Sequence, residues 1–172
     1  MSRPKSSARE EEEKVRLAAQ RALTHPPVRG DRALQAAQQA NVGMPALVRT
    51  PEGQPAFWLV PLESGRQACG YVRVELSHKI GQVSSFGAGA EDREAWPEAD
   101  FFHNPPARFI SEIRARYPGA ALKDPVLSFD GTPAKWGWRI ELSNPSGIVV
   151  FVSPQAWYVR SDPPAQPANR EG

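Results

Sequence analysis

The sequence predicts an α+β fold: two tandem helix–strand–strand–strand units with antiparallel sheets, preceded by an N-terminal helix. Three observations predict it. A six-residue phrase occurs twice, as Gly53-Gln54-Pro55-Ala56-Phe57-Trp58 and as Gly131-Thr132-Pro133-Ala134-Lys135-Trp136. Each copy opens a run in which apolar residues recur with period two, the spacing of a half-buried strand. Ahead of each copy stands a helical pattern bounded by capping residues and prolines.

The 172 residues give room for a real core. With 40% hydrophobic and 23% charged residues, the composition is that of a soluble globular protein. No apolar run reaches the ~20 residues needed to cross a bilayer, so no membrane partner is expected. The start Met-Ser-Arg-Pro-Lys leads into Glu10 to Glu13 without an apolar segment, so no secretory signal is expected and the cytoplasm is the expected location. The single cysteine, Cys69, excludes an internal disulfide and a multi-cysteine metal site. A net charge of +2 is too small to imply nucleic acid.

In order, residues 1–30 read as a disordered start and an N-terminal helix, with Val15, Ala18, Ala19 and Ala22 on one face. Its acidic residues come early and Lys14, Arg16 and Arg21 later, which complements the helix dipole. His25-Pro26-Pro27 stops it. Residues 31–86 read as the first unit: a helix from the N-cap Asp31 to Ala40, then strands over 46–50, 56–62 and 71–76 with an extension over 82–86. Residues 87–104 form an acidic aromatic linker in which Glu91, Asp92, Glu94, Glu98 and Asp100 face Arg93 alone. Trp96, Phe101 and Phe102 within it each favour burial by about 2 kcal/mol, so the linker is expected to pack on the domain or on a partner. Residues 105–160 read as the second unit. Asn104 caps a helix with Pro105 at its first position and Phe109, Ile110, Ile113 and Tyr117 inward, ending at Pro118-Gly119. Strands follow over 126–129, 134–142, 148–152 and 157–160. The proline-rich tail 161–172 is expected to be disordered.

Register supports the duplication. An offset of 78 matches Trp58, Val60 and Leu62 to Trp136, Trp138 and Ile140. An offset of 76 matches Val72, Val74 and Leu76 to Ile148, Val150 and Val152, and Val83 to Val159. Losing two residues keeps every inward side chain inward, whereas losing one would turn the strand over. Phe57 and Leu59 face opposite to Trp58 and Val60, so the first long strand is apolar on both faces and should be central. Units this small rarely stand alone, which predicts that the two pack together with the linker's aromatics in the seam.

A helix, a strand, and then a strand–turn–strand whose last strand reads Gly70-Tyr71-Val72-Arg73-Val74-Glu75-Leu76 resembles the PepSY domain. Ser77-His78-Lys79-Ile80-Gly81-Gln82-Val83 keeps the Gly and Val of that family's Asp-x-x-Thr-Gly-x-Val turn but not its Asp or Thr. The second copy, Ser153-Pro154-Gln155-Ala156-Trp157-Tyr158-Val159, loses the Gly as well. The resemblance covers residues 31–86 and 105–160. It implies a cystatin-like sheet over a helix and a non-catalytic module that restrains or regulates a partner.

The motif search returns no chemistry. Gly87-Ala88-Gly89 begins a phosphate loop but runs into Glu91-Asp92 rather than a helix. There is no H-E-x-x-H, G-x-S-x-G or EF-hand loop. His25, His78 and His103 are scattered, unlike a metal site. Cys69 and His78 could pair as nucleophile and base across a turn, but a lone cysteine near a strand end is ordinarily a small apolar residue. The basic residues Arg108, Arg114, Arg116, Lys123, Lys135 and Arg139 lack the core parity of Trp136 and Trp138, so a solvated face accounts for them better than nucleic acid does. The expectation is a regulatory protein- or peptide-binding module without a cofactor. It would use Trp96, Phe101, Phe102 and His103, or an open sheet edge by strand addition. The alternative is a small-ligand binder or hydrolase with a cleft between the units and Cys69, His78 or His103 at its mouth.

Overall fold

The computed structural model describes residues 5–24, 38–86, 96–144 and 147–160. The predicted helix over 31–40 lies almost wholly outside them, as do the acidic half of the linker and the tail. Helix α1 spans Lys5–Thr24. It is followed by β1 (Asn41–Val42), β2 (Ala46–Arg49), β3 (Pro55–Ser64), β4 (Gln67–Glu75) and β5 (Ile80–Ser85). After a 3-10 turn at Ala99–Phe102 come α2 (Ala107–Arg116), β6 (Ala121–Leu122), β7 (Val126–Phe129), β8 (Trp136–Ser143), β9 (Ile148–Val152) and β10 (Trp157–Arg160). The fold is α+β with two antiparallel sheets. One is ordered β1-β3-β4-β5 with β2 beside β3, the other β10-β9-β8-β6 with β7 beside β8.

The two sheets share one wiring. The short strands β1 and β6 pair with the far ends of β3 and β8 (Val42 with Leu62, Leu122 with Leu142), and β2 and β7 with the near ends. Trp58 lies between Leu47 and Val74, as Trp138 lies between Leu127 and Val152. Val72 pairs with Val60 and Val83, as Val150 pairs with Ile140 and Val159. The structural twin of Trp58 is therefore Trp138, not Trp136, and that of Val72 is Val150. The register read from the repeated phrase slips by two residues along these strands. The phrase marks the turn rather than the strand: Gly53 and Gly131 both adopt positive φ in the equivalent hairpin loops. A slip of two conserves parity, and Trp136-Gly137-Trp138 offers the same apolar signal twice, so alternation alone could not resolve it.

Burial follows from that wiring. The Ala-rich stripe of α1 docks: Val15, Ala19, Ala22 and Leu23 pack with Val60, Leu62, Val72 and Val74 on one face of the first sheet. The other face carries Phe57 and Leu59 from β3 with Ala46 and Val48, and it meets the second sheet through Leu127, Trp136 and Trp138. The first sheet is thus covered on both sides, and β3 is central as its two apolar faces predict. Helix α2 adds Phe109 and Ile113 to the same core, and its Glu112 accepts from Trp157 Nε1 at 2.7 Å. It starts at Ala107 with Pro106 as its cap, two residues later than expected. The reason is local: a residue before proline is pushed out of the helical region, and both Asn104 and Pro105 precede one. Asn104 Nδ2 donates instead to Asp100 Oδ1 at 3.1 Å.

Two positions on β7 and β8 test the packing in opposite senses. A Cβ on Gly137 would lie 2.3 Å from the Val152 carbonyl oxygen and 2.8 Å from the Phe151 ring. Gly137→Ala is expected to lower stability by about 2 kcal/mol. Ser128, fully buried where its twin is Val48, keeps its hydroxyl without a hydrogen-bond partner. Ser128→Ala is expected to leave stability unchanged or raise it by up to about 1 kcal/mol. Urea unfolding midpoints of the two variants check both.

Candidate functional site

Of the four linker residues expected to meet a partner, three are interior. Phe101 and Phe102 sit on the 3-10 turn and are buried. The Phe102 ring lies 5.0 Å and the Phe101 ring 5.8 Å from Trp136, centroid to centroid. Tyr71 meets Trp136 edge-on at 5.2 Å, and Phe86 lies 5.6 Å from Tyr71, completing an aromatic cluster that joins the two units. The backbone fixes the turn in place. Ala68 N donates to Pro97 O, Ala99 N to Arg66 O, and the buried Trp138 indole N–H to Phe101 O at 2.7 Å. Trp96 is buried among the α1-facing residues. Only His103 is exposed, so a partner meeting the closed protein touches His103 alone of the four.

The residues that could have carried catalysis are not brought together. Cys69 is buried, its thiol donates to Leu62 O at 3.3 Å, and desolvation pushes its pKa up despite that backbone bond. A thiol held in its neutral form is a poor nucleophile. His78 lies beyond the other end of β4, about 20 Å along the strand, where its Nε2 meets Glu11 Oε1 of α1 at 2.6 Å. His78 has φ of +69°, so the turn beyond β4 is held in the left-handed region by a residue that also ties down the helix. Among the described residues no three His, Cys, Asp or Glu side chains gather as a metal site would require. No described helix is long and apolar enough to cross a membrane.

Two accessible features of the described residues bear on recognition. A cleft at the seam is floored by Tyr71, Phe86, Trp136 and Phe151 and rimmed by Lys135 and Tyr158. At its rim the Tyr158 hydroxyl donates to Asp130 Oδ2, and Arg160 Nε donates to Asp130 Oδ1 at 3.0 Å. Partial burial, then the hydrogen bond and the negative charge of Asp130, push the Tyr158 pKa up to about 12, against the opposing charge of Arg160. A phenol so poised stays protonated at neutral pH and is no general base.

The second feature is the edge strand β10. Among the described residues it pairs with β9 alone. The hairpin closes with Ser153 N donating to Ala156 O at 2.8 Å. Ladder bonds alternate from there, so Tyr158 and Arg160 bond to β9 while the backbone groups of Trp157 and Val159 point away from the sheet. Tyr158 and Val159 are 40% and 43% exposed. Sequence reasoning placed this strand but did not single it out. Its signal was present: Trp157-Tyr158-Val159-Arg160 has strong strand formers and none of the lysine, proline or glycine that guards an edge.

Compared with protein-family models, curated proteins and solved structures, the chain matches none.

Two measurements follow from the protonation chemistry. The folded-state pKa of Tyr158 is raised, so its contribution to stability is complete below pH ~10 and lost as pH rises from there towards ~12. Tyrosinate absorbance is expected to show a late-titrating phenol, which Tyr158→Phe removes. Cys69 is expected to resist maleimide labelling in the native protein and to react on unfolding, at a rate set by denaturant.

Proposed function

We propose that this chain is a non-catalytic, PepSY-like regulatory module that binds a protein or peptide partner by taking an extended segment onto the open edge of β10. The observation that carries this reading is the pairing of β10, among the described residues, with β9 alone, which leaves the outward N–H and C=O groups of Trp157 and Val159 as a template for another strand. The exposed Tyr158 and Val159 side chains offer the cross-strand contacts that would choose among partners. A buried thiol and a phenol held protonated argue against the hydrolase alternative. The mutual pairing of Asp130, Tyr158 and Arg160 leaves the seam cleft with few polar groups to orient a small ligand. A single free cysteine suits a reducing cytoplasm.

The equivalent edge of the first unit, β5, is the weaker candidate. It begins Ile80-Gly81-Gln82 and ends in two serines, a composition that lowers strand propensity.

Linear peptides selected against the full chain are expected to slow hydrogen exchange at the amides of Trp157 and Val159. Val159→Pro deletes an outward N–H and leaves the β9 ladder intact, since proline is tolerated where the amide faces solvent. It is expected to weaken such peptides roughly tenfold, the effect of one or two lost hydrogen bonds. Peptides that bind the proline variant undiminished, or that protect other amides only, would overturn the proposal.

A further inference from the structure

We infer that, when no partner occupies it, the β10 edge pairs antiparallel with the β10 edge of a second copy of this chain, centred on Tyr158. The inference rests on the same reading of β10 as an open edge, and adds what covers it. A two-fold contact must be self-complementary, each residue meeting on its partner the residue that meets it in return. Only registers that bring outward-pointing residues face to face can form a ladder. In β10 those residues are Trp157 and Val159.

Centring on Tyr158 sets Trp157 opposite the partner's Val159 and Val159 opposite the partner's Trp157. Both are hydrogen-bonded pairs, and both set an aromatic residue against a β-branched one, a favoured combination. Tyr158 then faces the partner's Tyr158 in the non-hydrogen-bonded position, where Cα atoms lie about 4.5 Å apart. Arg160 falls opposite the partner's Ala156, so no like charges meet. Centring two residues' worth of register either way loses this. One choice sets Val159 against the partner's Gln155 in the turn. The other sets Trp157 against the partner's Ser161, beyond the strand. Pro154 on one side and Pro163-Pro164 on the other bound the ladder in sequence, since proline cannot donate. The contact is therefore short, and a competing strand of the kind proposed above would displace it.

Sedimentation velocity of the full chain over a wide concentration range is expected to show a reversible monomer–dimer equilibrium. Val159→Pro is expected to raise its dissociation constant roughly tenfold. Under mild oxidation Tyr158→Cys is expected to give a covalent dimer, because non-hydrogen-bonded antiparallel pairs fall within disulfide reach. Ile80→Cys on β5 is expected to give none, and buried Cys69 does not interfere. A chain that stays monomeric at every concentration, or dimers unaffected by Val159→Pro, would overturn the inference. A monomeric chain whose selected peptides still protect Trp157 and Val159 would sink the self-pairing and leave the open-edge reading standing. Failure of both experiments would remove the edge itself as a site.

Discussion

The architecture depends on a sheet that must be covered twice. β3 carries large apolar side chains on both faces, Phe57 and Leu59 on one and Val60 and Leu62 on the other. Neither face can be left in water without losing several kcal/mol of burial. Helix α1 answers one face and the second unit answers the other. The aromatic turn Phe101-Phe102 sits where the two sheets meet, and the bond from the Trp138 indole to the Phe101 carbonyl closes it. That bond lets a polar indole nitrogen and a loop carbonyl share an interior otherwise built of hydrocarbon.

The two sheets share one wiring, but the chain uses them differently. The face of the first sheet that looks into the seam has its counterpart on the face of the second that turns away from it. There Gly137 stands for Phe57, Arg139 for Leu59 and Ser128 for Val48. Phe151 stays buried on that outer side because Tyr158 lies across it and Gly137 leaves room beside it.

Much of this was legible from residues. The strands over 126–129, 148–152 and 157–160 fall where alternation and turn chemistry put them, and the burial of Trp96, Phe101 and Phe102 follows from the area an aromatic ring would otherwise expose. What period two could not resolve was a slip of two residues, since Trp136 and Trp138 satisfy the same parity. The short strands β1 and β6 were invisible because two residues carry no period. The Tyr158–Asp130–Arg160 group was also beyond reach, for its members are far apart in sequence and only the β7–β8 turn brings Asp130 back over β10.

Edges are the part of a β fold that composition describes least, because whether a strand ends a sheet depends on what pairs with it elsewhere. Packing the two units sets β2 and β7 side by side, which shields those strands without merging the sheets. The opposite ends, β5 and β10, gain nothing from that contact. Their sequences then differ: Gly81 and the serines of β5 lower its strand propensity, whereas β10 presents the outward amides of Trp157 and Val159. Tyr158 and Val159 stay 40% and 43% exposed on that edge strand, whereas Phe57, Phe102 and Phe151 are fully interior.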